Sequence, residues 1–211
     1  TLLENLPFTP TAAQTRVVAE IKADQSADMR MLRLLQGDVG SGKTFVALMA
    51  MLHTLEDGYQ AALLAPTEIL ARQHHASLTA LLQHMQIKPG LLLGGMKIKE
   101  RKQIIENLQN GDCQIIIGTH ALLTEDIAFA RLGLAVVDEQ HRFGVRQRLV
   151  LGQKGDGCDV LVMTATPIPR TLAMTAYGDL QVSRLDEKPE GRQEISTAVI
   201  SGERIAEIVE R

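Results

Sequence analysis

The stretch Gly37-Asp38-Val39-Gly40-Ser41-Gly42-Lys43-Thr44 constrains this chain more than any other. It follows the apolar run Met31-Leu32-Arg33-Leu34-Leu35 and precedes a helical pattern over 44–55. Strand, glycine-rich turn, helix is the context in which such a turn cradles phosphate. Glycine lets the backbone curl until several N–H groups converge on one anion. The helix that follows presents the positive end of its dipole to the same point. On this reading Gly37, Asp38, Gly40, Ser41 and Gly42 wrap the phosphates of a nucleotide. Lys43 reaches the β- and γ-phosphates, and the Thr44 hydroxyl holds Mg²⁺. The alternative, an ordinary glycine turn, needs neither the strand nor the helix.

The rest of the chain repeats the alternation. Continuous apolar runs at 31–35, 61–65, 91–93, 115–118, 134–137 and 160–163 predict strands buried on both faces. Helical patterns over 11–23, 44–55, 68–85 and 97–109 lie among them. In 68–85 the periodic residues are Ile69, Leu70, Leu78, Leu81, Leu82 and Met85; in 97–109 they are Ile98, Ile104, Ile105 and Leu108. Asp57-Gly58, Pro89-Gly90 and Asn110-Gly111 punctuate the connections. Repeated β–α units predict a mostly parallel sheet with helices on both faces.

Aromatic residues make up 3% of the chain and there is no Trp, so aliphatic residues must build the core. Met29, Met31, Met49 and Met51 read as filler within it. The net charge of −3 argues against a nucleic-acid footprint over the whole surface but allows a local basic track. Cys113 and Cys158 stand alone and read as buried free thiols in a reducing cytoplasm. No apolar run approaches the roughly 20 residues of a membrane span, so no membrane partner is expected. No signal peptide is visible. His74 and His75 are adjacent on a helix and cannot share one face, so both read as surface histidines. No His or Cys pair has zinc-ligand spacing.

Two further strands end in chemistry-bearing residues. The run at 134–137 leads into Asp138-Glu139-Gln140-His141. Ligands of open parallel sheets sit at the carboxyl ends of strands. Asp138 there would hold Mg²⁺, through water, and Glu139 would polarise an attacking water as general base. The alternative is a pair of solvated acids. The run at 160–163 leads into Thr164-Ala165-Thr166-Pro167, whose hydroxyls could reach the His141 region and a water beside the γ-phosphate. A strand simply stopped by proline is the alternative.

With these motifs in order, the chain resembles superfamily 2 helicases and translocases of the DExH type. Asp138-Glu139-Gln140-His141 is similar to that family's motif II, and Thr164-Ala165-Thr166 to its motif III. Ala65-Pro66-Thr67-Glu68 is similar to motif Ia, and Gly118-Thr119-His120 to motif Ib. Gln14, after Leu6-Pro7-Phe8-Thr9, resembles the upstream glutamine that reads adenine. The longer strings from Asp138 to Arg148 and from Thr166 to Leu172 resemble the branch-migrating DNA translocases within that superfamily. The transcription–repair coupling factors are the near alternative, but their motif II usually has Glu where this chain has Gln140. The likeness covers nearly all of residues 1–200.

The resemblance implies a RecA-like P-loop NTPase domain of the α/β class, with ATP and Mg²⁺ as cofactors. It implies catalytic roles for Lys43, Asp138 and Glu139, and coupling roles for His141, Thr164, Thr166 and Arg170. Branched or duplex DNA would be held by its phosphate backbone, as suits a motor indifferent to sequence. The contacts implied are Thr67, Arg72, Gly94, Gly95, Lys97, Thr119 and His120. The cluster Lys97, Lys99, Arg101 and Lys102 is either part of that track or a solvated face balanced by Glu100 and Glu106. Arg142, Arg146 and Arg148, like Arg170, either couple nucleotide state to the second domain or to DNA, or form surface ion pairs.

Residues 1–189 would be the first motor domain. Residues 190–211 would be a linker and the start of a second RecA-like domain of the parent chain, which would also carry a wedge domain for branched DNA. Arginine fingers from the second domain are worth about 10³–10⁵ in turnover, so the 211 residues alone are expected to hydrolyse ATP barely. Two other classes fit a P-loop, a phosphotransferase and a nucleotide-binding scaffold without turnover. Motifs such as Ala65-Pro66-Thr67 or Thr164-Ala165-Thr166 are not expected in the first, and intact Lys43, Thr44, Asp138 and Glu139 argue against the second.

Overall fold

A computed structural model describes residues 6, 8–138, 157–166 and 180–187. Within them seven strands form one sheet: β1 (Leu32–Gly37), β2 (Gln60–Leu64), β3 (Gly90–Leu92), β4 (Ile115–Gly118), β5 (Leu132–Val137), β6 (Asp159–Thr164) and β7 (Gln181–Leu185). Their order is β3-β4-β2-β5-β6-β1-β7, and every neighbouring pair is parallel. Four helices accompany them: α1 (Ala12–Gln25), α2 (Lys43–Glu56), α3 (Glu68–Leu81) and α4 (Ile98–Gln109). A short 3-10 turn, His120–Leu123, follows β4.

The strands are apolar throughout because both faces are covered. In β2, Ala61 and Leu63 join the core under α1, α2 and α3, while Ala62 and Leu64 join the core that includes Leu108 of α4. Side chains alternate across a strand, so a two-sided core needs an unbroken apolar run. Cys113 and Cys158 are buried in the second core. Burial pushes their thiols up to about 11 and about 12, away from thiolate chemistry. No helix among the described residues is long and apolar enough to cross a membrane.

The helix starts follow from local sequence. Thr11 and Gln14 form a capping box at the head of α1. The Thr67 hydroxyl accepts from Leu70 N–H at 3.3 Å and caps α3. Gly42, at φ +89°, caps α2 in the left-handed region.

Several expectations need correction. Strand β7 has no apolar run: Gln181 and Arg184 are exposed, Val182 is half-buried, and Ser183 and Leu185 are buried. Ile69 is 79% exposed and Ile98 86% exposed. Each lies in the first turn of a helix that starts beyond a strand's carboxyl end, where no sheet lies beneath it. Met29 is also exposed, whereas Met31 and Met51 are core residues. Helix α3 stops at Leu81, although Leu82 and Met85 still pack against the core.

One polar network braces the P-loop strand. Arg33 of β1 is buried, and its guanidinium donates to Asp24 at 2.7 Å and Glu20 at 3.3 Å on α1. It also donates to Ser183 at 2.6 Å and to Gln181 on β7. A buried cation persists only with such partners. Arg16 of α1 adds a bond to the Arg184 carbonyl, and Glu187 accepts from Ala13 N–H at the helix head. Helix α1, β1 and β7 thereby hold one another.

Candidate nucleotide and nucleic-acid site

Every strand runs the same way, so all strand-to-helix turns gather on one edge of the sheet. The glycine turn leaves β1 and Asp138 leaves β5, with only β6 between those strands. Two strand spacings amount to about 10 Å. One phosphate group with its cation can bridge that separation.

The glycine turn is tightly built. Gly40 (φ +79°) and Gly42 (φ +89°) adopt conformations that other residues rarely reach. A Cβ on Gly42 would lie 2.2 Å from Gln14 Nε2, and one on Gly37 would lie 2.5 Å from Ser41 Oγ. Gln14 is buried, and its amide nitrogen donates to the Ser41 carbonyl at 2.9 Å while its Oε1 accepts from Thr11 N–H at 3.0 Å. One side chain thus caps α1 and braces the turn. Lys43 Nζ donates to the Gly37 and Asp38 carbonyls at 2.6 and 2.9 Å, lying back along the loop. Ser41 Oγ is buried without a hydrogen-bond partner. Thr44 is half-buried in the first turn of α2.

Asp138 is 8% exposed, and its main-chain N–H donates to the Leu64 carbonyl of β2. Its Oδ2 lies 2.6 Å from Nε2 of His74. His74 is 9% exposed, which corrects the expectation of a surface histidine. The expectation for its neighbour fails as well: His75 is half-buried and its Nε2 lies 3.0 Å from the Pro89 carbonyl. Adjacent helical residues point in different directions, but here both directions lead to a partner. Nothing local distinguishes a histidine that meets a strand 64 residues away.

On β6, Thr164 is fully buried, and its Oγ1 lies 2.9 Å from Thr166 Oγ1. Thr166 N–H donates to Thr164 Oγ1, and the Thr166 carbonyl accepts from Gln36 Nε2 of β1 at 3.2 Å. These bonds tie the end of β6 to the strand that carries the glycine turn. Glu139, Gln140, His141, Arg142, Arg146, Arg148 and Arg170 lie outside the described residues, as does the region 190–211.

The available donors suit magnesium. Thr44 and Asp138 supply a hydroxyl and a carboxylate, hard oxygens of the kind Mg²⁺ takes. Among the described residues no cluster of three or more His, Cys, Asp or Glu could cage a metal alone.

The other half of the edge is formed by β2, β4 and β3. Arg72, Gly94, Gly95, Lys97 and His120 are exposed there and Thr67 is half-buried. Thr119 differs: it is 2% exposed and its hydroxyl is buried without a partner, so its side chain does not face the surface. Arg101 of the basic cluster pairs with Asp126 at 2.8 Å, and Lys102 stands 3.8 Å from Glu106. Lys97 and Lys99 are exposed.

The DEAD/DEAH box helicase family matches residues 11–175. The chain is 51% identical over 205 residues to the ATP-dependent DNA helicase RecG of Streptococcus pneumoniae, covering 97% of this chain and 30% of that protein. It is 50% identical over 214 residues to the protein of the same name from Escherichia coli K12, covering 100% of this chain and 31% of that protein. It therefore spans less than a third of the length of these relatives. A solved structure of RecG bound to a three-way DNA junction superposes with a TM-score of 0.87 at 45% identity, covering 99% of this chain and 28% of that one. The DEAD-box helicase Mss116, bound to single-stranded RNA, shares the fold at a TM-score of 0.70 and 19% identity, over 89% of this chain and 42% of its own.

Proposed function

The chain belongs to the DEAD/DEAH box helicase family, and from that premise we propose that it is the first, ATP-binding motor domain of a RecG-type DNA helicase. Residues 1–189 form that domain, and 190–211 lead into a second RecA-like domain of the parent protein. The parent couples ATP hydrolysis in the cytoplasm to translocation on duplex DNA, and so to fork regression and branch migration in repair and recombination. A wedge domain of the same parent would engage the branch.

The observation that carries this reading is the placement of the glycine turn and Asp138 on one sheet edge with a single strand between them. Gly37 to Gly42 direct main-chain N–H groups at the phosphates. Lys43 swings from its loop carbonyls to the β- and γ-phosphates. Thr44 and Asp138 hold Mg²⁺, which when bound neutralises charge on those phosphates. Glu139 takes a proton from the attacking water. Gln14 faces adenine while bracing the turn. Thr164 and Thr166, together with His141 and Arg170, pass the presence of the γ-phosphate to the second domain. Thr67, Arg72, Gly94, Gly95, Lys97 and His120 hold DNA phosphates, with Thr119 contributing its main chain.

The test is ATP turnover by the full-length parent. Turnover stimulated by forked DNA and lost in Lys43→Ala supports the reading. Transfer of phosphate to a small molecule, or tight nucleotide binding with no hydrolysis, overturns it.

A further inference from the structure

We infer that His74 is the positioning residue of the magnesium carboxylate, tying Asp138 to the helix whose first turn faces DNA. The inference rests on the motor reading above and assigns that site a link the motifs do not contain.

The bond is short and sheltered. Nε2 and Oδ2 stand 2.6 Å apart, and both side chains are 11% exposed. A carboxylate only accepts, so Nε2 carries the proton and Nδ1 does not need it. Hydrogen bonds to an ionised group are among the strong ones, and a low-dielectric setting strengthens them further. The bond occupies one carboxylate oxygen and fixes the plane of the group. The other oxygen remains to meet the cation or its water.

The bond also connects two regions. Helix α3 follows its Thr67 cap as one continuous element, Glu68–Leu81, of 14 residues. Thr67 and His74 are seven positions apart, about 10 Å along the axis. The next residue anchors the same helix elsewhere: His75 meets the Pro89 carbonyl just before β3. Helix α3 is thus fastened to the magnesium carboxylate by His74 and to the β3 approach by His75. A shift of its first turn on DNA must pull on Asp138 through His74. Partners that orient a metal-binding side chain typically govern affinity 10–100-fold, and His74 occupies that position for Asp138.

The experiment uses the full-length protein that carries this chain, with Mn²⁺ as the probe. Mn²⁺ binding in the presence of ADP is read by electron paramagnetic resonance, independently of turnover. His74→Ala is expected to weaken Mn²⁺ affinity roughly 10–100-fold, leave ADP affinity in EDTA unchanged, and lower the ratio of DNA-stimulated to basal hydrolysis. His74→Gln, whose amide nitrogen can reach the place of Nε2, is expected to recover most of the Mn²⁺ affinity. His75→Ala loosens the same helix without touching Asp138 and is expected to leave Mn²⁺ affinity intact, which separates positioning from general softening. Wild-type Mn²⁺ affinity in His74→Ala overturns the inference, as does a His74→Gln protein no better than His74→Ala. A wild-type parent that binds no ADP at all removes the motor reading itself, and the inference with it.

Discussion

The carboxyl edge of the sheet has two halves, and they are built on opposite terms. Around β5, β6 and β1 the polar groups are committed to one another: Gln14 to the Ser41 carbonyl, Lys43 to its loop, Thr164 to Thr166, His74 to Asp138. Around β2, β4 and β3 Arg72, Gly94, Gly95, Lys97 and His120 are exposed, and the fixed bonds, the Thr67 cap on α3, His75 to the Pro89 carbonyl and Arg101 to Asp126, hold the elements rather than those groups. Stabilising a charge that develops during reaction demands donors held in place beforehand. Gripping a backbone that must be released at each step demands access and little commitment. The proposed motor needs both, and the two halves of this edge meet where β2 pairs with β5.

The sharpest way to break the contrast is Lys43→Ala. Loss of one preorganised donor at a reacting centre costs about 10²–10³ in turnover. Turnover of the parent protein should fall at least that far, while its DNA affinity without nucleotide stays unchanged. Equal loss of both would mean the halves are not separable.

A pair of glycine substitutions sharpens it next. Gly42→Ala forces a residue with a Cβ to φ +89° and drives that atom to 2.2 Å from Gln14 Nε2. The strain is about 1–3 kcal/mol, and displacement of Gln14 adds to it. Gly95→Ala meets nothing within 4 Å and needs no left-handed backbone. It should move stability by less than about 0.5 kcal/mol. Urea unfolding of both variants measures the difference.

The same contrast explains what could be read from the sequence. The glycine turn, the strand at 115–118 and the carboxylate ending β5 were legible because each is a local pattern with a local cause. Six of the strands announced themselves through continuous apolar runs. The seventh did not, since Gln181, Ser183 and Arg184 leave β7 no apolar run and Arg33 and Arg16 reach across to it from other elements. Ile69 and Ile98 fit the helical period yet lie in first turns beyond the sheet, which periodicity does not register. The burial of His74 escapes the local pattern for a related reason. Its partner is 64 residues away, and only the β2–β5 pairing brings α3 to Asp138. Glu139 and His141 lie outside the described residues, so the roles proposed for them rest on the sequence motif alone.

In the exposed half the expected effects are smaller. Thr67→Ala removes the oxygen that accepts from Leu70 N–H and should cost about 1 kcal/mol of stability. If Thr67 also meets a phosphate, DNA affinity should fall beyond what the loss of stability explains. Restoring the cap with Thr67→Asp separates the two effects. The carboxylate caps the helix as well as the hydroxyl did but repels phosphate, so stability should return and DNA affinity should not.

Lys97→Ala is the gentlest probe and the most specific. Lys97 precedes α4, makes no side-chain cap and is exposed, so its removal should leave folding and basal ATP turnover unchanged. If it neutralises one phosphate, the slope of log affinity against log salt should become shallower by about 1, uniformly across DNA sequences. Arg101 is the matched control, because its guanidinium is already paired with Asp126. An Arg101→Ala slope equal to that of Lys97→Ala would mean the whole face of α4 acts as a diffuse cation layer. A change confined to Lys97 would place the grip at the helix start, beside the Gly94-Gly95 turn, where exposed backbone and one unpaired cation meet the duplex without fixing it.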